Sequence, residues 1–182
     1  MILVIRFIGI LNAAIWLGAG VFFTFAAQRT FFSDEIKATG LHPFWPGTIA
    51  QMFVVRYFQL QCVCAVVALA HLLAEWVYLG RALHRLTLGL LIGLFLVGMT
   101  GGLWLQPKMK ELHLIKYSMG PDYKPVPMPD ARRIQASKSF GRWHAVSSIV
   151  NLIVLGGLTI YLWRVTHPSD NLRFVGAPKF RS

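Results

Sequence analysis

The sequence predicts an all-α integral membrane protein, a bundle of four spanning helices, and three observations carry that reading. Four stretches without a charged side chain, residues 8–27, 57–74, 86–106 and 145–163, are each about as long as a helix needs to cross a bilayer's hydrocarbon core. Hydrophobic residues make up 55% of the 182 and charged residues only 14%, a balance that water-soluble domains rarely have. Trp45, Trp76, Trp104, Trp143 and Trp163 fall close to the ends of the apolar stretches, where amphipathic rings settle at headgroup level. Only a helix satisfies its own backbone hydrogen bonds where water is excluded, and roughly twenty residues at about 1.5 Å each cover about 30 Å. A single membrane domain is expected, with helices near 7–27, 54–79, 86–106 and 144–163 and a polar C-terminal tail over 165–182.

The first span is too long for the apolar core of a signal peptide, and Phe25 puts a bulky residue ahead of Ala26 and Ala27 where cleavage requires a small one. It is therefore read as a spanning helix. A long loop, 28–51, follows, with Asp34, Glu35 and the breaker-rich run His42-Pro43-Phe44-Trp45-Pro46-Gly47. Only residues 80–85 connect the second and third spans, so these two must be antiparallel neighbours. A second long loop, 107–141, opens with Pro107, and Met109, Leu112, Ile115 and Met119 recur at helical spacing, which predicts a short interfacial helix. Pro121, Pro125, Pro127 and Pro129 then predict an extended strap, and Asp130 a cap for a basic turn over 131–138 that leads into the fourth span.

The chain carries 18 Lys and Arg against 7 Asp and Glu, a net charge of +11. These basic residues lie in loops and tails rather than as a stripe on a folded domain, so anionic lipid headgroups are the expected partner and nucleic acid is not. The first and third connections hold more Lys and Arg than the termini and the short connection, which predicts long loops in the cytoplasm and both termini outside. Cys62 and Cys64, the two cysteines, lie together inside the second span and build no disulfide framework. Lipid is as apolar as leucine, so helices must pack through small residues that let backbones approach. Gly9 with Ala13, Ala14 with Gly18, Gly89 with Gly93, Gly98 with Gly102, and the pair Gly156-Gly157 supply them.

Polar groups inside a span are costly, and so they are the candidate functional residues. The first span offers Asn12 and Trp16 one turn apart. The second places Cys64, His71 and Glu75 on one face, and the fourth places His144, Ser148 and Asn151 on one face with Ser147 beside them. His71 with Glu75 has the one-turn spacing of an ion or proton site, but Glu75 lies near the end of its helix, where it could instead pair with Arg81 or Arg85. Ser147 and Ser148 could bond back to carbonyls one turn earlier while Asn151 clips a neighbouring helix. Haem cannot join His71 to His144, because about fourteen residues, roughly 21 Å, separate His71 from the membrane face at which His144 enters. The pairings that remain are His71 with His84 on the short-loop side, or His42, His113 and His144 on the long-loop side as a copper or zinc site, although none has a recognised ligand spacing.

Four pieces carry a family likeness: Trp16-Leu17-Gly18-Ala19-Gly20-Val21-Phe22-Phe23, Gly47 with Phe53 and Tyr57-Phe58, Pro107-Lys108-Met109, and the run from His144 to Leu152 with its paired serines and Asn151. In order along nearly the whole chain they resemble the bacterial domain-of-unknown-function family 4149, related to animal transmembrane protein 205. The chain departs from the family's pattern at Gln28-Arg29, where a proline is usual, and at Ala145, where a glycine is usual. The Trp-x-Gly opening also resembles four-helix haem or copper membrane families, but those carry a histidine a few residues earlier where this chain has Asn12. The resemblance implies a four-helix protein, in a bacterial inner membrane, and supplies no catalytic residue.

No nucleophile with a base, no phosphate loop and no metal-spaced cluster appears in the sequence. The leading expectation is a non-enzymatic bundle acting as an accessory or assembly subunit of a larger membrane complex, or associating with itself. A haem-, copper- or ion-handling protein is the alternative, and a small oligomeric transporter a second one.

Overall fold

The computed structural model describes residues 2–80 and 84–167, and those residues form an all-helical bundle. The helices are α1 (Ile2–Phe22), α2 (Gln28–Phe31), α3 (Asp34–Ala38), α4 (Phe44–Leu79), α5 (Arg85–Thr100), α6 (Gln106–Lys116) and α7 (Asp130–Thr166). π-helical segments, Phe23–Ala27 and Gly101–Leu105, join α1 to α2 and α5 to α6 without a break. Four of the resulting rods are long and apolar enough to cross a membrane: Leu3–Ala38, Phe44–Tyr78, Arg85–Lys116 and Asp130–Thr166. The chain is thus a four-helix membrane bundle. The first rod packs against α4 and α7, α4 packs against α5, and α7 closes the ring against α5.

All four rods outrun the helices expected from hydropathy: three continue past the apolar core into charged sequence, and α4 begins ten residues early, in the uncharged run from Phe44. The expected loop over 28–51 is mostly helical: Ser33 caps α3 by accepting a hydrogen bond from the Ile36 amide, and α4 already starts at Phe44. The expected separate interfacial helix is instead α6, a continuation of the third rod. Pro107 cannot donate to the carbonyl one turn back and its ring crowds that turn, and the widened π-helical turn directly before it lets the helix run on. The expected proline strap begins as a closed turn, with the Gly120 amide donating to the Lys124 carbonyl at 2.8 Å and the Val126 amide to the Ser118 carbonyl at 2.8 Å. Asp130 lies in the first turn of α7 rather than capping a separate one, and the basic stretch after it belongs to the same helix as the fourth span. Gly80, at φ +61°, ends α4 in the left-handed conformation that glycine adopts without strain. Residues 168–182 of the expected tail and Arg81 lie outside the described residues.

The tightly packed core sits toward the end of the bundle where α4 meets α5. Ala13 and Trp16 of α1, Cys64, Ala65 and Ala68 of α4, Leu91 and Leu94 of α5, and Val154, Leu158 and Tyr161 of α7 form one buried cluster. The large exposed side chains of the spans are apolar, among them Phe7, Val63, Leu96 and Ile153, as a surface solvated by lipid requires.

Candidate functional site

Several of the intramembrane polar groups join one helix to another. On α1, the Asn12 amide Nδ2 donates to the Cys64 carbonyl of α4 at 3.0 Å, and Trp16 Nε1 donates to Gln61 Oε1 at 2.7 Å. One turn of α1 and one turn of α4 are thereby fastened twice. Trp16 also meets Tyr161 of α7 edge to face at 6.1 Å, which brings a third helix to the same level.

A second junction lies closer to the long connections. Tyr57 donates its hydroxyl hydrogen to Asn151 Oδ1 at 3.0 Å, and Asn151 Nδ2 donates to Thr24 Oγ1 at 2.6 Å, so one amide links α4, α7 and the first rod. Thr24 in turn donates to the Gly20 carbonyl at 2.7 Å, inside the stretch where the first rod turns π-helical. Phe23 stacks on Tyr57 at 4.5 Å and fixes the ring that makes the bond. Ser147 and Ser148 both donate to the His144 carbonyl within α7, at 2.8 and 2.9 Å, and His144 itself is exposed and stacks on Phe140.

His71 is buried against Gly9, where any Cβ would collide with the ring, and its Nε2 finds no hydrogen-bond partner among the described residues. Glu75 is half-buried one turn further along α4. Cys64 is buried too, but it is its backbone carbonyl that takes part in a link between helices.

The long-loop histidines do not converge. His113 of α6 is buried, stacks on Phe44 at 5.2 Å, and has Nε2 3.1 Å from the Phe44 carbonyl and 3.5 Å from Thr48 Oγ1. That ring is a strut between α6 and the start of α4, and Gly47 is small where it passes. His42 accepts from the Phe44 amide at 3.3 Å and so helps to start α4. Among the described residues no three His, Cys, Asp or Glu side chains come close enough to hold a metal ion, His42, His113 and His144 included.

At the opposite end, Arg164 Nη1 of α7 lies 2.9 Å from His84 Nδ1 and donates to Thr87 Oγ1 of α5 at 2.9 Å. This latch, Gln61 and Thr24 were not singled out from sequence. Each depends on the rotation of one helix against another, which periodicity alone leaves open.

Around the Tyr57–Asn151–Thr24 junction, and from there toward the long connections, the helices separate. A cavity of about 300 Å3 opens there, lined by Phe31, Ala50, Tyr57, Phe58, Leu105 and Phe140 among others, with His144, Ser147 and Ser148 along one wall. Both π-helical segments contribute to its lining, through Phe23 and Thr24 and through Gly101 and Leu105. A smaller pocket of about 70 Å3, lined by Thr48, Lys110, His113 and Tyr123, shares Gln51 and Gln106 with it.

The model of the family described as a domain of unknown function, DUF4149, matches residues 11–118, which takes in the first rod from residue 11 onward and the next two rods and stops before α7. The match therefore covers the Trp16, Tyr57 and Pro107 pieces of the likeness and not the run after His144, and it does not extend to the animal transmembrane protein. No curated protein and no solved structure matches the chain. With more than half of its length under the family model, this chain belongs to the DUF4149 family of domains of unknown function.

Proposed function

We propose that the protein is a non-enzymatic membrane bundle that serves as an assembly or accessory subunit, in a homo-oligomer or a larger membrane complex. The observation that carries this reading is the use of the intramembrane polar groups. Asn12, Trp16 and Asn151 reach across to a neighbouring helix, and Ser147 and Ser148 bond within their own. Such bonds hold helices in register where hydrophobic collapse cannot. Support also comes from small residues that this bundle does not use. Gly18, Gly89 and Gly93 are exposed with open space beyond them, so the backbone of another helix could approach closely there. The basic loops favour a bacterial inner membrane with both long connections in the cytoplasm, against anionic headgroups.

The test is the mass of the protein in mild detergent together with crosslinking in its native membrane. A defined oligomer or complex that is lost when Gly89 and Gly93 are both replaced by isoleucine supports the proposal. A monomer that crosslinks to nothing overturns it.

The orphaned His71 Nε2 favours a second reading, a protein that handles an ion, copper or haem inside the membrane. A Soret band, or stoichiometric metal by elemental analysis, supports that reading. A colourless and metal-free preparation made without chelator rejects it.

A further inference from the structure

We infer that the cavity at the long-loop end is a binding site for an anionic amphiphile of the bilayer, a single hydrocarbon chain ending in a carboxylate or phosphate. The shape comes first. Along α7 the wall runs from Phe140 to Val154, about fourteen residues and so about 21 Å, while the volume is only about 300 Å3. A space that follows one helix over that distance suits an extended chain, and its size lies at the lower end of ligand pockets. Val97 and Leu152 line it and are exposed, well inside the apolar spans, so its mouth faces hydrocarbon and a chain can enter sideways.

Chemistry places the head. The small pocket beside the cavity is lined by Lys110, Thr48 and Tyr123 and joins it through Gln51 and Gln106. Gln51 Nε2 is buried with no acceptor among the described residues, a donor at the junction of the apolar and the polar compartments. A buried amide without a partner is unfavourable, and a ligand oxygen accepting from it removes that penalty. Lys110 adds the positive charge that selects an anion. Both π-helical segments lie in the wall, and each widens the helix locally next to the space the chain fills. This inference is independent of the assembly role and survives or fails by itself.

The experiment is binding of oleate, lysophosphatidylglycerol and neutral monooleoylglycerol to the full-length protein in a neutral detergent, read by native mass spectrometry and calorimetry. One equivalent of oleate or of lysophosphatidylglycerol is expected, with the neutral lipid at least about tenfold weaker, the loss of one hydrogen bond to a charged group. Preference for oleate identifies a carboxylate source and preference for the lysolipid a phosphate source. Gln51→Leu should weaken the anion about tenfold and yet raise the thermal midpoint of the ligand-free protein, because it removes the unpaired amide. A generally damaged protein would lose both. Ala50→Trp, which fills the cavity, should abolish binding, and Lys110→Gln should remove the preference for the anion. Absence of saturable binding to the wild type, equal affinity for the neutral lipid, or undiminished binding by Ala50→Trp overturns the inference.

Discussion

The two halves of the bundle are built from the same four rods and the same kinds of residue, yet the described residues of one close around a buried apolar cluster and those of the other line a long cavity. Toward the α4–α5 connection, Ala13, Ala65 and Ala68 bring backbones together around Trp16 and Tyr161, and Gly157 lets the side chains of Leu90 and Leu94 lie where a Cβ would stand 3.3 Å from them. Toward the long connections the rods pass through π-helical turns and are held by bridging groups, the Asn151 amide and the His113 ring. Packing in a membrane comes from contact and not from expulsion by water, so a half that lacks contact persists only where polar bonds fix its spacing. The half with the buried cluster therefore carries the fold, and the open half is free to carry a ligand.

Four substitutions break or sharpen that contrast. Leu158→Ala, in the buried cluster, should have the largest effect, about 2–5 kcal/mol, because its fully buried site collapses only partly around the space left. Reversible unfolding in mixed micelles measures it. Ala65→Leu should cost about 1–3 kcal/mol by forcing α4 away from its neighbours. The same enlargement at Ala50, beside the cavity, should change the unfolding free energy by less than about 0.5 kcal/mol. Equal losses at the two alanines would dissolve the distinction between the halves. Asn151→Ala lies between these cases, because it removes two bonds between helices at about 0.6 kcal/mol each, about 1.2 kcal/mol together. Fluorescence of an environment-sensitive label at Phe53 should report separation of the rods at the open end in that variant.

Hydropathy made the four spans legible, because lipid forbids charge over the length of a helix and the sequence obeys that rule in four places. It could not find where the helices end. Past the hydrocarbon, helix is decided by capping and tertiary contact, as at Ser33 and at His113, and neither leaves an apolar signal. The polar candidates were visible as residue types, and Asn151 as a clip between helices follows from its place in a span. Its partners, Tyr57 and Thr24, lie 94 and 127 residues away, and only the rotation of three helices brings them together. The outward direction of Gly89 and Gly93, which share a spacing with the inward pair Gly98 and Gly102, has the same cause. A cavity is the least legible of all, since it is what neighbouring side chains fail to fill.

Everything rests on lipid being the solvent of the bundle's outer surface, and labelling of single cysteines tests this directly. In a variant lacking Cys62 and Cys64, cysteines placed at Val63 and Ile153 sit at positions that are 60% and 69% exposed in the bundle, and cysteines at Gly40 and Asp122 sit in the two long connections. In membranes opened to both sides, a water-soluble maleimide should modify Gly40→Cys and Asp122→Cys and leave Val63→Cys and Ile153→Cys untouched until detergent or denaturant is added. Modification of Val63→Cys and Ile153→Cys at the rate of the connections would place water where the account requires hydrocarbon.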